Sequence, residues 1–329
     1  MAKPVVATIP RTERFDLRDE SSRFLVKRKL ADVKADGRYR SYVHQSFGFD
    51  HLNERVYFAG RKYGSDESSG DLVVTQMDFD GKIHGSMILD GLGHGSQIGV
   101  QPRGAGKAPY LWTEADPEVN DEGVAWGRRI GRFVFDDGGS VSTGDVEDHT
   151  PRIDGIHNVR PAIDPIFQRV LIKYNVRGED GPFAQVWPLS AAGKRLDPRA
   201  AATGRIKLPS PNTQCQPSQG FALYGSFIYL MYGRPYGHNK GDHDDGRCEF
   251  PSRRTKGNTR ILCVDANTGE TVDTFRTRAL RHLIYREPEG MAIWPAPNGS
   301  TPQPRLCFGF ASGLANRRLA SIVYKDALA

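Results

Sequence analysis

Gln219-Gly220-Phe221-Ala222-Leu223 is one of five stretches that share a short pattern, and the pattern sets the architecture. The others are Gln45-Ser46-Phe47-Gly48-Phe49-Asp50, Gln97-Ile98-Gly99-Val100, Arg160-Pro161-Ala162-Ile163-Asp164 and Glu289-Gly290-Met291-Ala292-Ile293. Each places a Gly or Ala between apolar residues, with polar residues just before. Aligned on the small residue (Gly48, Gly99, Ala162, Ala222, Ala292), the copies recur every ~50 to 70 residues, the spacing of propeller blades rather than of helical solenoids. The innermost strands of a propeller converge on an axis, where a bulky side chain would collide with its neighbours. Five copies therefore predict an all-β chain folded as a five-bladed β-propeller.

Strand patterns extend outward from each copy. After the first come residues 55–60, 71–79 and 83–89, with Asp80-Gly81 as a hairpin turn. The fifth copy runs out of chain after about three strands. The N-terminal residues 14–30 carry a strand-like run, Arg23-Phe24-Leu25-Val26. Added to the last blade, this strand would close the ring and remove an open sheet edge. The expected division is an extended arm at residues 1–14 and a single propeller domain at residues 15–329. Residues 112–128 and 233–257 read as long polar loops, a common place for function on a rigid scaffold.

Composition agrees with many short strands and turns. Of 329 residues, 38% are hydrophobic, and there are 36 Gly and 21 Pro. The net charge of +6 is dispersed, 45 basic residues among 39 acidic ones. The densest basic runs, Lys27-Arg28-Lys29 and Arg253-Arg254-Thr255-Lys256, read as a strand edge and a loop. No nucleic-acid motif accompanies them, so no nucleic-acid partner is expected. Cys215, Cys248, Cys263 and Cys307 form no Cys-x-x-Cys pair, which argues against a zinc ribbon. Cys263 and Cys307 read as small buried hydrophobes, and the sequence leaves the disulfide state open. Asp242-His243-Asp244-Asp245 has metal-ligand residue types without a calcium-loop spacing, and reads as a solvated acidic loop. No metal and no cofactor are expected. The N-terminus carries no pattern of a cleaved secretory signal. No apolar run approaches the ~20 residues of a membrane span, so no membrane insertion is expected.

Candidate binding residues are those that precede each inner strand, because they should crowd one mouth of the channel. They include His94, Gln97, His157, Arg160, Gln219, Arg286, Glu287 and Glu289, with Trp112 and Glu114 from the first long loop. Such a ring either borders the channel as ordinary polar loops or hydrogen-bonds a polar ligand. Trp112 and Trp294 either pack between blades or stack on sugar. Glu114, Asp116, Glu287 and Glu289 are of the type that could supply a glycosidase acid/base pair, although sequence gives no separation. No nucleophile elbow, phosphate loop or zincin motif is present.

Several segments resemble one family. They are His94-Gly95-Ser96-Gln97-Ile98-Gly99-Val100, Leu111-Trp112-Thr113-Glu114, Gln219-Gly220-Phe221-Ala222, Glu287-Pro288-Glu289-Gly290-Met291-Ala292 and Phe308-Gly309-Phe310-Ala311-Ser312-Gly313. The family includes the propeller of Gram-positive phage receptor-binding and baseplate proteins, the teichoic acid biosynthesis protein C group and the helveticin J bacteriocins. The resemblance spans roughly residues 40 to 325, with Glu-Pro-Glu-Gly-Met-Ala as its most specific part. It implies a five-bladed propeller. For phage members it implies a tail or baseplate part that recognises a cell-wall glycopolymer, present in multiple copies and docked to other virion proteins. It supplies no catalytic set.

Three functions follow as expectations. The first is a non-catalytic receptor-binding propeller for a teichoic-acid-like polymer or another surface glycan, located in the virion tail. In it Arg160 and Arg286 would pair with phosphate, and Trp or Tyr would stack on sugar. The second is a glycan hydrolase or lyase using carboxylates at the channel. The third is a purely structural tail protein. An extracellular or cytoplasmic bacterial protein is the alternative location.

Overall fold

The five small-residue segments form the inner strands of five antiparallel sheets arranged as propeller blades. The computed structural model describes residues 7–18, 23–29, 41–191, 195–211, 216–235, 259–313 and 318–329. Most of the second long loop, the Asp242-His243-Asp244-Asp245 run, the basic run 253–256, Cys215 and Cys248 lie outside the described residues.

Blade 1 contains Ser41–Asp50, Arg55–Lys62, Leu72–Met77 and Ile83–Asp90. A short strand from the following segment, Ser140–Ser142, pairs in parallel with its outer edge and ties blade 2 to blade 1. Blade 2 contains Gly99–Gln101, Tyr110–Val119, Ala125–Val134 and Glu147–Asp148. Blade 3 runs through Ile156–Asp164, Arg169–Val176, Phe183–Pro188 and Ile206–Lys207. Blade 4 runs through Ser218–Tyr224, Phe227–Tyr232, Arg260–Asp265 and Thr271–Arg276. Blade 5 has Glu287–Ala296, Gln303–Ser312 and Leu319–Lys325 from the C-terminal end of the chain. Its outer strand is Arg23–Lys29, antiparallel to Leu319–Lys325 with Phe24 opposite Val323. The ring is thus closed by the N-terminal strand, as expected. Two backbone bonds between Arg14 and Ala329 tighten the junction at 3.1 and 2.8 Å.

Small residues occupy the axis for the anticipated steric reason. Gly48, Gly99, Ala162, Ala222 and Ala292 all line a single void of about 10 Å³, at most the room for one water. A Cβ on Gly48 would lie 2.6 Å from Val100 Cγ2, and one on Gly99 would lie 2.7 Å from Ile163 Cγ1. Each glycine thereby admits the inner strand of the next blade. Between that void and the mouth, Gln97 braces three blades. Its Nε2 donates to Met291 O at 3.1 Å, and its Oε1 accepts from Phe221 N at 3.2 Å. The axis is therefore floored rather than open.

The hydrophobic core is distributed between the blades. Phe47 and Phe58 of blade 1 pack with Cys307, Ile322 and Tyr324 of blade 5. Phe15 and Leu17 insert into the layer between blades 4 and 5, and Phe15 N donates to Tyr229 Oη at 2.8 Å. Cys263 and Cys307 are buried free thiols within these layers, as the apolar runs around them predicted. Among the described residues, helical structure is limited to the short 3-10 turns Leu189–Ala191 and Pro198–Ala200.

Residues 112–128 correct the loop expectation. They belong to a long β-hairpin, in which Glu118 faces Trp126 and Pro117 faces Gly127. Its polar composition reads as a loop because the end of the hairpin projects beyond the blade, where Glu118 and Val119 are exposed. Backbone pairing holds its strands together there, joined by Arg128 Nη2 donating to Asp116 Oδ2 at 3.0 Å and Val124 N donating to Asn120 Oδ1 at 2.9 Å.

Candidate functional site

The polar residues ahead of each inner strand converge because four inner strands bulge at the same height. Pairing slips between His44 and Ser46, His157 and Arg160, Ser218 and Gly220, and Pro288 and Met291. A bulge adds an unpaired residue and re-aims its side chain. The residues inside these slips include Gln45, Asn158, Gln219 and Glu289, and all four line one pocket of about 550 Å³ at the mouth. Asn158 takes the left-handed conformation, φ 48°, which Asn tolerates better than most residues. The same pocket is lined by His94, Arg160, Glu287, Trp126 and Tyr285.

One wall is an aromatic and imidazole stack. The His94 ring lies 4.5 Å from that of Trp126 with 29° between the planes. Burial, with the charges of Arg160 and Arg61 adding to it, pushes His94 down to about 4, so the ring is neutral at neutral pH. Glu114 holds both stacked groups from behind. Its Oε1 accepts from Gly95 N at 2.7 Å and its Oε2 from Gly127 N at 2.6 Å, clipping the residues next to His94 and Trp126. A Cβ on Gly93 would meet the Glu114 carboxylate at 2.6 Å, so glycine is needed for this approach. Burial raises Glu114 to about 6 despite the opposing backbone hydrogen bonds and the Arg160 charge.

Arg160 and the blade 5 carboxylates face the pocket from non-adjacent blades. Arg160 is 7% exposed, with its guanidinium 5.0 Å from the Trp126 ring. Its Nη1 donates to Ser96 Oγ at 3.3 Å, and its Nε is sealed without a partner among the described residues. Glu289 is buried and, among the described residues, receives only a long bond from Gln45 Nε2, 3.5 Å. Burial, then the neighbouring Glu287, raises Glu289 well above the usual carboxylate range. Burial also raises Glu287, against a hydrogen bond from Tyr285.

The structure thus brings His94, Arg160, Gln219, Glu287 and Glu289 to one pocket and sends the other sequence-derived candidates elsewhere. Gln97 is the axial brace, and Glu114 stands behind the wall. Trp112 is fully buried, with Nε1 donating to Gln101 Oε1 at 2.9 Å and its ring against His149. His157 lies with the Arg177–Gly181 turn at the blade edge. Arg286 is fully buried rather than at the mouth. It donates to Ala279 O at 2.9 and 2.7 Å and to Thr259 Oγ1 at 2.9 Å, and lies over the Phe310 ring. Trp126, Arg61 and Tyr285 were missed as site residues. The signal for Trp126 was its place in a hairpin strand, hidden by the loop reading.

Residues 43–324 match the model of a family described as the phage five-bladed β-propeller receptor-binding platform domain. The chain is 22% identical over 319 residues to the putative major teichoic acid biosynthesis protein C of Bacillus subtilis strain 168, covering 94% of this chain and 63% of that protein. Its fold is similar to the tail fiber of Staphylococcus aureus phage P68, with a TM-score of 0.69 at 17% identity, covering 95% of this chain and 54% of the fiber. The chain therefore spans less than two thirds of the length of either protein.

Proposed function

Since the chain belongs to the phage five-bladed β-propeller receptor-binding platform domain family, we propose that its mouth pocket binds a bacterial cell-wall glycopolymer, teichoic-acid-like or another surface glycan, without cleaving it. The observation that carries this reading is the convergence of Gln45, Asn158, Gln219 and Glu289 from four blades on a pocket walled by Trp126. Amides and carboxyls match sugar hydroxyls, and an indole offers an apolar face to a ring. In this reading the site is the virion's contact with the host, and neighbouring tail proteins hold it in multiple copies. Residues 15–329 form the binding domain. In this reading residues 1–14 are an extended arm, and its described part runs along blade 4, where Ile9 N donates to Asn267 Oδ1 at 2.7 Å.

The test is co-sedimentation of purified protein with cell walls of a susceptible host, with analysis of released sugar and polyol phosphate. Binding without release is expected, and Gln219→Ala and Trp126→Ala should weaken it. Released product favours the hydrolase or lyase reading. No binding to walls of any susceptible host favours a structural tail protein.

A further inference from the structure

Arg160 and Lys173 are directly opposite each other on adjacent strands of blade 3, and both are buried, at 7% and 2% exposure. Cross-strand partners share a face of the sheet, and like charges in that arrangement repel. Among the described residues, no carboxylate lies within 4.0 Å of either. Each is held instead by a hydroxyl from a flanking blade. Arg160 Nη1 donates to Ser96 Oγ of blade 2 at 3.3 Å, and Lys173 Nζ donates to Ser218 Oγ of blade 4 at 2.9 Å. A hydroxyl fixes the direction of a cation without cancelling its charge.

Glu114 attracts the Arg160 guanidinium from beyond that distance, whereas Lys173 gains only repulsion from Arg160. A buried charge so placed is costly, and an apolar residue of similar size would often be no worse for stability. Burial and then the Arg160 charge push the Lys173 ammonium well below its usual range, which marks how unfavourable the unliganded arrangement is. Violations of this kind are kept at functional sites. Arg160 and Ser218 line the mouth pocket, with Lys173 directly behind Ser218.

We propose that Arg160 and Lys173 form an oxyanion subsite in the wall of the mouth pocket, which takes the phosphodiester or carboxylate of the glycopolymer. The hydroxyl-bearing part of the repeat then extends toward Gln219 and Glu289. The inference rests on the receptor reading above for the polymer, but the subsite can be tested without it.

The full chain is titrated with inorganic phosphate, glycerol 1-phosphate and glucuronate at constant ionic strength, following the melting temperature. At least one oxyanion should raise it saturably. In Arg160→Gln and Lys173→Met the apparent affinity should fall by about tenfold or more. Lys173→Met also removes the repulsion, so the unliganded variant should melt at or above the wild type, which keeps the test open if Arg160→Gln folds poorly. The preferred probe assigns the anion as phosphate or carboxylate. No saturable shift with any probe, or equal shifts in wild type and Lys173→Met, overturns the subsite. Cell-wall binding separates the two readings. Equal binding by wild type and both variants removes the subsite and leaves the receptor reading. Oxyanion binding that both substitutions abolish, without wall binding by the wild type, keeps the subsite and removes the receptor reading.

Discussion

Replacing Glu114 should break the pocket wall from behind, because two segments depend on one carboxylate. In Glu114→Ala, Gly95 N and Gly127 N lose their acceptors at 2.7 and 2.6 Å. Each orphaned buried donor costs about 1–3 kcal/mol, so the variant should lose roughly 2–6 kcal/mol. Glu114→Gln keeps one acceptor and removes the titration. Burial raises the folded-state value from 4.5 to about 6, which favours the protonated form. The associated stability is present below 4.5 and is lost as pH rises through about 6. From pH 7 to pH 5 the wild type should therefore gain about 1 kcal/mol relative to Glu114→Gln. At pH 7 the two should be close, since the lost acceptor is offset by relief of the buried charge. The assay is urea denaturation at both pH values followed by circular dichroism, with wall binding measured on the folded variants. A neutral Glu114→Ala, or a wild-type-to-Gln gap unchanged between pH 7 and pH 5, would refute the double clip.

Other positions give independent tests. Gly99→Ala drives a Cβ to 2.7 Å from Ile163 Cγ1 and should cost about 1–3 kcal/mol, recovered in part by adding Ile163→Ala; two strictly additive effects would show that the glycine does not serve blade contact. His44 is buried, its Nε2 has no partner among the described residues, and burial pushes it from 6.5 down to about 3, so its neutral form stabilises the fold above 6.5 and that stability is lost as pH falls. At pH 5 the loss is about 2 kcal/mol, and His44→Phe should flatten the fall in melting temperature between pH 7 and pH 5; an unchanged slope contradicts it. Arg286→Ala should cost roughly 3 kcal/mol through its lost bonds to Ala279 and Thr259, and a stable variant with weakened wall binding would instead make Arg286 a ligand contact. Deleting residues 1–30 should uncover the Leu319–Lys325 edge and cause aggregation, so a soluble monomer with an unchanged melting temperature argues against closure.

Periodicity alone makes the ring legible in the sequence. Gly48, Gly99, Ala162, Ala222 and Ala292 carry a steric requirement that repeats once per blade, and they meet at one void. The missing strand of the fifth copy and the strand pattern at Arg23 together specified the closure. The mouth was half legible, because a polar residue followed by Ser or Gly marks the bulge in three blades, giving Gln45, Gln219 and Glu289. What sequence does not carry is how far a side chain stands from the axis once strands twist and bulge. Arg286 and Arg160 both come ahead of the small residue of an inner strand, yet Arg286 precedes its strand and turns inward to the Ala279 carbonyl, while Arg160 lies within its strand and faces the pocket. Trp112 and Trp126 lie on the two strands of one hairpin, opposite Arg132 and Glu118 respectively, and packing sent the first into the core and the second to the mouth. The pairing of Arg160 with Lys173, thirteen positions on, depends on strand register. A bulge shifts that register by a residue, and with it every side chain's face.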